Sequence, residues 1–244
     1  MTFEVAAGEF CVILGPSGSG KSTLLRTLNG LVTADSGSIR IGEIEITAHS
    51  LPKLRRQVGM IYQQFSLVQR ASVAHNVISG VLASTNTLQA ILGIFSQTHR
   101  RKACNLLSSV GLQPEHLRRR VDELSGGQQQ RVGIARAFMS DPSLILADEP
   151  VASLDPKISR DILSLLQRQA RERNATVLCS LHQVDLAQEF GDRIIALRQG
   201  RVVFDGAPSC LTSAVETAIY ENAPQLDSTE KANSKPLAEV VHEP

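Results

Sequence analysis

The sequence predicts an α/β fold, with helices on both faces of a mostly parallel β-sheet, a small antiparallel β patch and an inserted α-helical subdomain. Short apolar runs that alternate with helical segments indicate the parallel sheet. Residues 72–120 indicate the insert, because apolar residues recur there at helical spacing. The chain has 244 residues, which is long enough to bury a sizeable hydrophobic core.

The first part of the chain is expected to form the beginning of the sheet and the β patch. Turn signals such as Asn29-Gly30 and Asp35-Ser36-Gly37 separate short strands, as in an antiparallel patch beside a main sheet. The elements expected here are strands at Thr2–Val5, Glu9–Leu14 and Val58–Tyr62, a helix at Ser22–Leu31, and patch strands at Ser38–Ile41 and Glu43–Ile46.

After the insert, the pattern is expected to return to strand–helix alternation. The elements expected there are helices at Gly126–Met139, Pro156–Arg173, Gln183–Phe190 and Ser213–Tyr220, and strands at Ser143–Asp148, Thr176–Ser180, Arg193–Leu197 and Arg201–Phe204. Residues 222–244 contain few large apolar groups, which is typical of disorder. We therefore expect an α/β core at 1–71 and 121–211, a helical subdomain at 72–120 and a largely disordered extension at 212–244.

Composition narrows the classes of function. The net charge of +1 gives no overall electrostatic attraction to nucleic acid, so no nucleic-acid partner is expected. No apolar run approaches the roughly 18 residues of a membrane span, so a role at a membrane requires a partner protein. The cysteines lack metal-ligand spacing and three lie in apolar sequence, which suggests buried thiols in a reducing compartment. They are Cys11, Cys104, Cys179 and Cys210.

A glycine-rich turn follows the first apolar strand and precedes a helix. Residues 15–22 read G-P-S-G-S-G-K-S, the P-loop pattern in which backbone N–H groups and a helix N-terminus bind phosphate. An ordinary glycine-rich turn is the alternative, but the flanking strand and helix favour the P-loop. Lys21 would contact the β- and γ-phosphates and Ser22 would bind Mg²⁺. The predicted nucleotide-binding residues are Gly15, Pro16, Ser17, Gly18, Ser19, Gly20, Lys21, Ser22 and Thr23.

Two carboxylates, Asp148 and Glu149, end another apolar strand, at the sheet edge where α/β proteins bind ligands. Successive strand residues point in opposite directions, so the two acids can have different roles. Asp148 suits Mg²⁺ binding, and Glu149 suits the general base that activates water. His182 follows a third apolar strand, where it could contact the γ-phosphate; a purely structural histidine is the alternative.

A second anion site is indicated by Leu124-Ser125-Gly126-Gly127-Gln128, just before an amphipathic helix. A serine N-cap followed by glycines exposes backbone donors at the helix N-terminus. One triphosphate does not need two such sites in one chain. The arrangement therefore suggests that this site binds a nucleotide held by another copy of the chain.

Together these motifs resemble the nucleotide-binding subunit of an ATP-binding-cassette (ABC) transporter over about residues 8–207. The resemblance makes residues 15–22 the Walker A motif, and it makes Asp148 and Glu149 the end of Walker B and the catalytic base. Ser125, Gly126, Gly127 and Gln128 become the signature motif, which acts in trans. Asp155 becomes the D-loop aspartate and His182 the switch histidine. Gln63 becomes the Q-loop glutamine, which also touches Mg²⁺, with Gln64 as the alternative.

The resemblance implies ATP and Mg²⁺ as cofactors and a homodimer that holds two ATPs between Walker A and the partner's signature motif. It also implies transmembrane permease subunits, an extracytoplasmic solute-binding protein that acts indirectly, and a peripheral location on the cytoplasmic face of the inner membrane. The ATPase of another importer, an exporter ATPase, a non-transport ABC ATPase and an inactive cassette are the alternatives.

A narrower resemblance is to phosphonate-import ATPases. It rests on stretches that should not touch the solute, so it indicates the substrate only by relationship. These stretches are residues 63–68, 92–96, 100–103, 180–187 and 201–206.

One feature departs from the family pattern. Members usually carry an upstream strand with an aromatic residue that stacks on adenine, and Phe3 is the only early aromatic residue here. Its position suits a strand residue instead. A truncated chain, a misassigned start and weaker adenine binding are the three explanations.

Overall fold

The computed structural model describes residues 1–86, 88 and 93–220. The strands are β1 (Phe10–Leu14), β2 (Arg40–Ile41), β3 (Ile44–Glu45), β4 (Val58–Ile61), β5 (Leu144–Asp148), β6 (Thr176–Ser180), β7 (Arg193–Arg198) and β8 (Arg201–Gly206). Six of them form one sheet in the order β4-β5-β6-β1-β7-β8, while β2 and β3 form a separate antiparallel pair. All neighbours from β4 to β7 are parallel, and β8 is antiparallel to β7. The predicted mostly parallel sheet and β patch are confirmed.

Parallel pairing brings the carboxyl ends of the central strands to one edge of the sheet. Ser180 of β6 is in register with both Ile13 of β1 and Asp148 of β5, and Ile61 of β4 is in register with Ala147. The loops that follow these four strands therefore begin side by side. This register places the predicted motifs next to one another although they are far apart in sequence.

The helices follow the expected order. They are α1 (Lys21–Leu28), α2 (Leu51–Leu54), α3 (Val73–Ile78), α4 (Gln97–Ser109), α5 (Gly126–Ala137), α6 (Pro156–Glu172), α7 (Val184–Phe190) and α8 (Ser213–Tyr220). Short 3₁₀ turns lie at Ser79–Ser84, Pro114–Arg118, Val121–Glu123, Phe138–Ser140 and Pro208–Cys210. None of the helices among the described residues is both long and apolar enough to cross a membrane.

The segment between β4 and α5 packs through the apolar residues that gave it helical spacing. Val73 and Val77 of α3 and Leu107 of α4 are fully or almost fully buried in the largest hydrophobic cluster. An isolated antiparallel bridge joins Ser72 to Arg120, the two ends of the predicted insert. The helical character of this segment is therefore confirmed where it is described.

Three expectations about local structure are wrong. Thr2–Val5 is not a strand, because β1 is already paired with β6 and β7 on its two sides, and Phe3 and Val5 pack on hydrophobic clusters instead. The first helix ends at Leu28 rather than Leu31, because Gly30 adopts a left-handed φ of +64°. Only two cysteines are buried, Cys11 and Cys179, while Cys104 and Cys210 are exposed.

The chain after β8 returns to the sheet. Helix α8 forms as expected; Ile219 is buried, and the Arg198 guanidinium donates to the carbonyl of Ala218 at 2.8 Å. These contacts with the core were not predicted. The disorder expected for residues 222–244 concerns residues outside the described ones.

Candidate active site

The P-loop connects β1 to α1, and its glycines set the course of its backbone. Gly15 has φ +145°, and a Cβ there would lie 2.1 Å from the carbonyl oxygen of Leu197, so only glycine fits. Gly20 caps α1 in the left-handed conformation, with φ +103°. These conformations turn the loop so that the N-terminus of α1 faces it, as phosphate binding requires.

Lys21 is buried at the first position of α1. Its ammonium donates to the carbonyl oxygens of Gly15 at 2.7 Å and Pro16 at 3.2 Å. The backbone of the P-loop therefore holds the Lys21 side chain against the loop. Burial lowers the pKa of Lys21, while the nearby carboxylates of Glu149 and Asp148 act in the opposite direction. A phosphate beside this ammonium would offset the cost of its burial.

The Ser19 hydroxyl is a further sign that the loop suits a polar ligand. Ser19 is 2 % exposed, and its Oγ has no hydrogen-bond partner among the described residues. Buried hydroxyls are normally paired, so an unpaired one in a P-loop fits a site that a phosphate completes. Three other predicted phosphate-binding residues of this segment, Ser17, Gly18 and Thr23, are exposed.

Ser22 and Asp148 meet where α1 faces the end of β5. The Ser22 hydroxyl donates to Asp148 Oδ1 at 2.8 Å, and Asp148 is 6 % exposed. A hydroxyl and a carboxylate oxygen are hard ligands of the type that Mg²⁺ prefers. The donor set therefore fits the predicted metal position, and the two residues are brought together as expected.

Glu149 and His182 form the next pair along the sheet edge. Glu149 Oε1 contacts His182 Nε2, and the glutamate side chain is 12 % exposed while that of the histidine is 36 % exposed. Glu149 has a left-handed φ of +48°, which turns its side chain away from the strand direction. The predicted base and the predicted switch histidine thus lie in contact. We call Lys21, Ser22, Asp148, Glu149 and His182 the catalytic edge.

Gln63 follows β4 at the same edge of the sheet, two residues after Ile61. Its side chain is exposed, and it makes no hydrogen bond to Ser22 or Asp148 in the described part of the chain. Gln63 thus begins the loop after the strand next to β5, and its predicted contact with Mg²⁺ stays a prediction.

The loop after Gln63 is held by a residue that the sequence did not single out. Arg136, in the last turn of α5, donates to the carbonyls of Ser66 at 2.6 Å and Phe65 at 3.0 Å. Phe65 and Ser66 both have positive φ, +49° and +46°, which is unusual for residues with side chains. The A-R-A-F sequence around Arg136 gave no local signal of this contact.

The signature residues form a helix cap, which we call the signature cradle (residues 125–128). Ser125 Oγ accepts from the Gln128 N–H at 3.4 Å, and Gln128 Oε1 accepts from the Ser125 N–H at 3.0 Å, which makes a capping box. Ser125 is exposed, and Gly127 is buried against Ile158. The predicted N-cap is confirmed.

Asp155 also caps a helix. Its Oδ1 accepts from the N–H groups of Lys157 and Ile158 at 3.2 and 3.0 Å, so it fixes the start of α6. Leu154, just before it, lies next to Gly126 of the signature cradle. The exposed Asp155 therefore has a structural role within the chain, and its assignment to a D-loop at a dimer interface stays a prediction.

Helix α8 contacts the catalytic edge through a tyrosine that sequence analysis missed. The Tyr220 hydroxyl donates to the His182 carbonyl at 3.2 Å. Burial and nearby Glu216 raise the pKa of Tyr220, while the Gly15 N–H acts in the opposite direction. A cavity of about 540 Å³ lies beside His182, between α7 and α8. The short amphipathic helix alone gave no sign of this position.

Comparison with known proteins gives one consistent result. Residues 1–152 match the family described as ABC transporter. The chain is 51 % identical over 221 residues to the "Phosphonates import ATP-binding protein PhnC" of Hydrogenovibrio crunogenus, covering 91 % of this chain and 81 % of that protein. It is 54 % identical over 213 residues to the protein of the same name from Hyphomonas neptunium, covering 87 % and 82 %.

The fold is similar to that of solved ATP-binding cassettes. The dimeric, post-hydrolysis structure of the cassette MJ0796 bound to ADP and Pi superposes with a TM-score of 0.71 at 34 % identity, covering 84 % of this chain and 88 % of that one. The structure of cbiO1 from Clostridium perfringens, part of the transporter complex cbiONQ, gives 0.73 at 30 % identity, covering 86 % and 81 %.

Proposed function

The chain belongs to the ABC transporter family, and on that premise we propose that it is the ATP-hydrolysing subunit of a phosphonate importer. The observation that carries the proposal is the catalytic edge, where the P-loop lysine and serine meet a strand-end carboxylate and a Glu–His pair. The substrate class rests on the relatives at 51 % and 54 % identity, which are phosphonate-import ATP-binding proteins. Phosphonate or a related phosphorus oxyanion is therefore the proposed solute.

In the proposed reaction, ATP and water give ADP and phosphate. The P-loop backbone and Lys21 bind the phosphates, and Glu149 holds and deprotonates the attacking water. His182, in contact with Glu149, would keep this carboxylate in place, and it is proposed as the switch histidine that donates to the γ-phosphate. Ser22 and Asp148 would hold Mg²⁺, and Gln63 is proposed to approach the ion from the loop after β4; when bound, the ion would neutralise phosphate charge.

The proposed active unit is a homodimer. The signature cradle makes no hydrogen bond to the P-loop in the described part of the chain, and a second copy would allow Ser125, Gly126 and Gly127 to complete the other copy's site. The dimeric cassette MJ0796 supports this arrangement by similarity. ATP binding to both surfaces favours the closed dimer, and hydrolysis reopens it.

The proposed partners are transmembrane permease subunits and, indirectly, an extracytoplasmic solute-binding protein. Residues 72–120, proposed as a helical subdomain, and Gln63 would transmit dimer closure to the permease. The chain would accordingly lie at the cytoplasmic face of the inner membrane, held there by the permease.

The dimer proposal predicts that Glu149→Gln traps an ATP-bound dimer. The amide keeps the shape of the carboxylate but cannot act as a base, so closure occurs and hydrolysis does not follow. Size-exclusion chromatography should show a shift from monomer to dimer only when MgATP is present. Lys21→Ala in the same background is the control, and it should abolish the shift by removing the phosphate contact.

Two results would count against this proposal. A dimer that forms equally well without ATP would show that dimerisation does not depend on the nucleotide. The absence of any shift would contradict a dimer that closes around two ATP molecules. The solute is tested separately, by reconstituting the chain with its permease and solute-binding protein. Hydrolysis should be stimulated by a phosphonate-loaded binding protein and not by the unloaded one.

A further inference from the structure

Ser180 lies between the two carboxylate residues of the catalytic edge. It is the last residue of β6, is fully buried, and is in register with Asp148 of the neighbouring strand β5. Its hydroxyl donates to Asp148 Oδ1 at 3.0 Å and accepts from the backbone N–H of Glu149 at 2.9 Å. The Ser180 hydroxyl thus makes one hydrogen bond as a donor and one as an acceptor, and its two partners are the consecutive residues Asp148 and Glu149.

We propose that Ser180 is a positioning residue that fixes the Asp148 carboxylate and the Glu149 backbone relative to each other. The proposal rests on the function proposed above, since it assigns those two residues to metal binding and water activation. Ser180 itself does not touch the substrate. It acts by orienting two groups with different tasks through a single hydroxyl.

The Asp148 side of this contact restricts one carboxylate oxygen. Asp148 Oδ1 accepts from Ser22 at 2.8 Å on one side and from Ser180 at 3.0 Å on the other. Hydrogen bonds from two different elements fix the rotation of a carboxylate more tightly than one bond does. The carboxylate is therefore held in one orientation beside Ser22, the other proposed Mg²⁺ ligand.

The Glu149 side of the contact stabilises an unusual backbone. Glu149 has φ +48°, a conformation that residues with side chains rarely adopt and that surrounding contacts must maintain. The Ser180 hydroxyl receives the N–H of this residue directly after the strand ends. Without that acceptor the buried N–H would lack its partner, and the glutamate could turn away from His182.

The alternative is that Ser180 is an ordinary buried serine paired with its surroundings. Its Oγ also lies 3.5 Å from the carbonyl of Ala147, so part of its bonding could be local to the strands. A structural role of this kind would change stability but would not change the dependence of hydrolysis on Mg²⁺. The two roles therefore differ in a measurable property.

The test compares Ser180→Ala with Ser180→Thr and Ser180→Cys in the full chain. Ser180→Ala should lower kcat about 10- to 100-fold, as loss of a ligand-orienting hydrogen bond does, and should raise the Mg²⁺ concentration for half-maximal hydrolysis. ATP affinity of the monomer should change less than about threefold, since the P-loop is untouched. Ser180→Thr retains the hydroxyl and should recover most of the rate. Ser180→Cys retains the volume with a weak donor and should fall between them.

Ser109→Ala is the matched control. Ser109 is partly buried on α4, donates to Gln169 at 2.9 Å, and lies outside the catalytic edge. The Ser109→Ala substitution should lower the melting temperature without changing kcat or the dependence of hydrolysis on Mg²⁺. If Ser180→Ala fails to fold, Ser180→Cys supplies the same comparison.

A second measurement does not depend on turnover. In the Glu149→Gln background, Ser180→Ala should still form an ATP-dependent dimer but should need more Mg²⁺ to do so. Unchanged Mg²⁺ dependence in both assays, or a loss of rate equal to that of Ser109→Ala, would overturn the positioning role. If the wild-type chain itself neither binds nor hydrolyses MgATP, the proposed function fails, and that result is distinguishable from the failure of Ser180.

Discussion

The catalytic edge and the signature cradle are both predicted to bind nucleotide, yet they are built by different means. The catalytic edge collects side chains from α1, β5 and the loop after β6, and the sheet register sets their spacing. The signature cradle is the N-terminus of one helix, closed by the Ser125–Gln128 capping box. The first is therefore fixed by long-range pairing, whereas the second is fixed by local sequence and by packing.

This difference suggests how the two regions communicate. Two loop side chains lie near Gly126 of the signature cradle, Leu154 just before Asp155 and Phe65 in the loop after Gln63. At its other end α5 holds the Phe65 and Ser66 carbonyls through Arg136. Loops change conformation at a lower cost in free energy than strands within a sheet. We therefore expect the chemistry to depend on the sheet and the coupling between sites to depend on these loops.

The largest effect should come from Ser125→Ala in the signature cradle. Loss of the hydroxyl should lower hydrolysis by roughly 10- to 100-fold, as removal of a ligand donor does. Monomer ATP affinity should stay the same, since the P-loop is in the other half of the site. Loss of the cap should also lower stability by about 1 kcal/mol. Steady-state hydrolysis, ATP titration and urea unfolding measure the three quantities.

Ser96→Ala separates the cap from the nucleotide contact. Ser96 caps α4 by accepting from the His99 N–H at 3.2 Å, and it lies outside both sites. The control should show a similar loss of stability with normal hydrolysis. Equal losses of hydrolysis in the two variants would mean that helix stability, and not the signature contact, explains the result.

A smaller effect is expected from Arg136→Lys, which tests the link between α5 and the loop after Gln63. A lysine cannot reproduce the planar fork that reaches two carbonyls, so the left-handed turn at Phe65 and Ser66 should loosen. We expect hydrolysis to fall about three- to tenfold with ATP affinity unchanged. Arg131→Lys is the control on the same helix, because Arg131 donates to the Val110 carbonyl at 2.6 Å instead. An equal loss in both variants would contradict a specific link.

The sequence alone was enough to identify features whose chemistry requires a fixed local spacing of residues. The P-loop, the Asp148–Glu149 pair and the Ser125 cap each lie within a few residues, so their residue types identify them. The contacts made by Ser180 and Arg136 depend on which strands and loops become neighbours, and no local pattern encodes that. The polar end of an apolar strand, two residues before His182, was the only available signal for Ser180.

The strand wrongly predicted at Thr2–Val5 also shows that local sequence does not encode which elements become neighbours. Phe3 and Val5 alternate with polar residues as a half-buried strand would, but alternation says nothing about whether a partner strand is available. With both sides of β1 occupied, these side chains pack as an irregular segment. The Arg193 guanidinium donates to the carbonyl of Glu4 at 2.8 Å and holds the segment against β7.

The smallest effect should come from Asp205→Asn, at a site away from both nucleotide contacts. Asp205 on β8 accepts two hydrogen bonds from Arg193 on β7, at 2.6 and 2.8 Å, and both side chains are partly exposed. The guanidinium lowers the pKa of Asp205 below its ordinary value. An ion pair this close to solvent should contribute only about 0.5–1 kcal/mol, and hydrolysis should be unchanged.

The sign of the pH dependence makes this prediction specific. Because the folded-state pKa of Asp205 is depressed, its contribution is present above the unfolded value of about 3.9 and is lost as the pH falls through the lower folded value. The difference in unfolding free energy between wild type and Asp205→Asn should therefore be constant from about pH 8 to 5 and shrink below about pH 4. Asp161→Asn, an exposed carboxylate on α6, is the control and should show a smaller difference at every pH. A difference that grows on acidification would contradict the lowered pKa of Asp205, and a change in hydrolysis would show that this edge of the sheet is coupled to the catalytic edge.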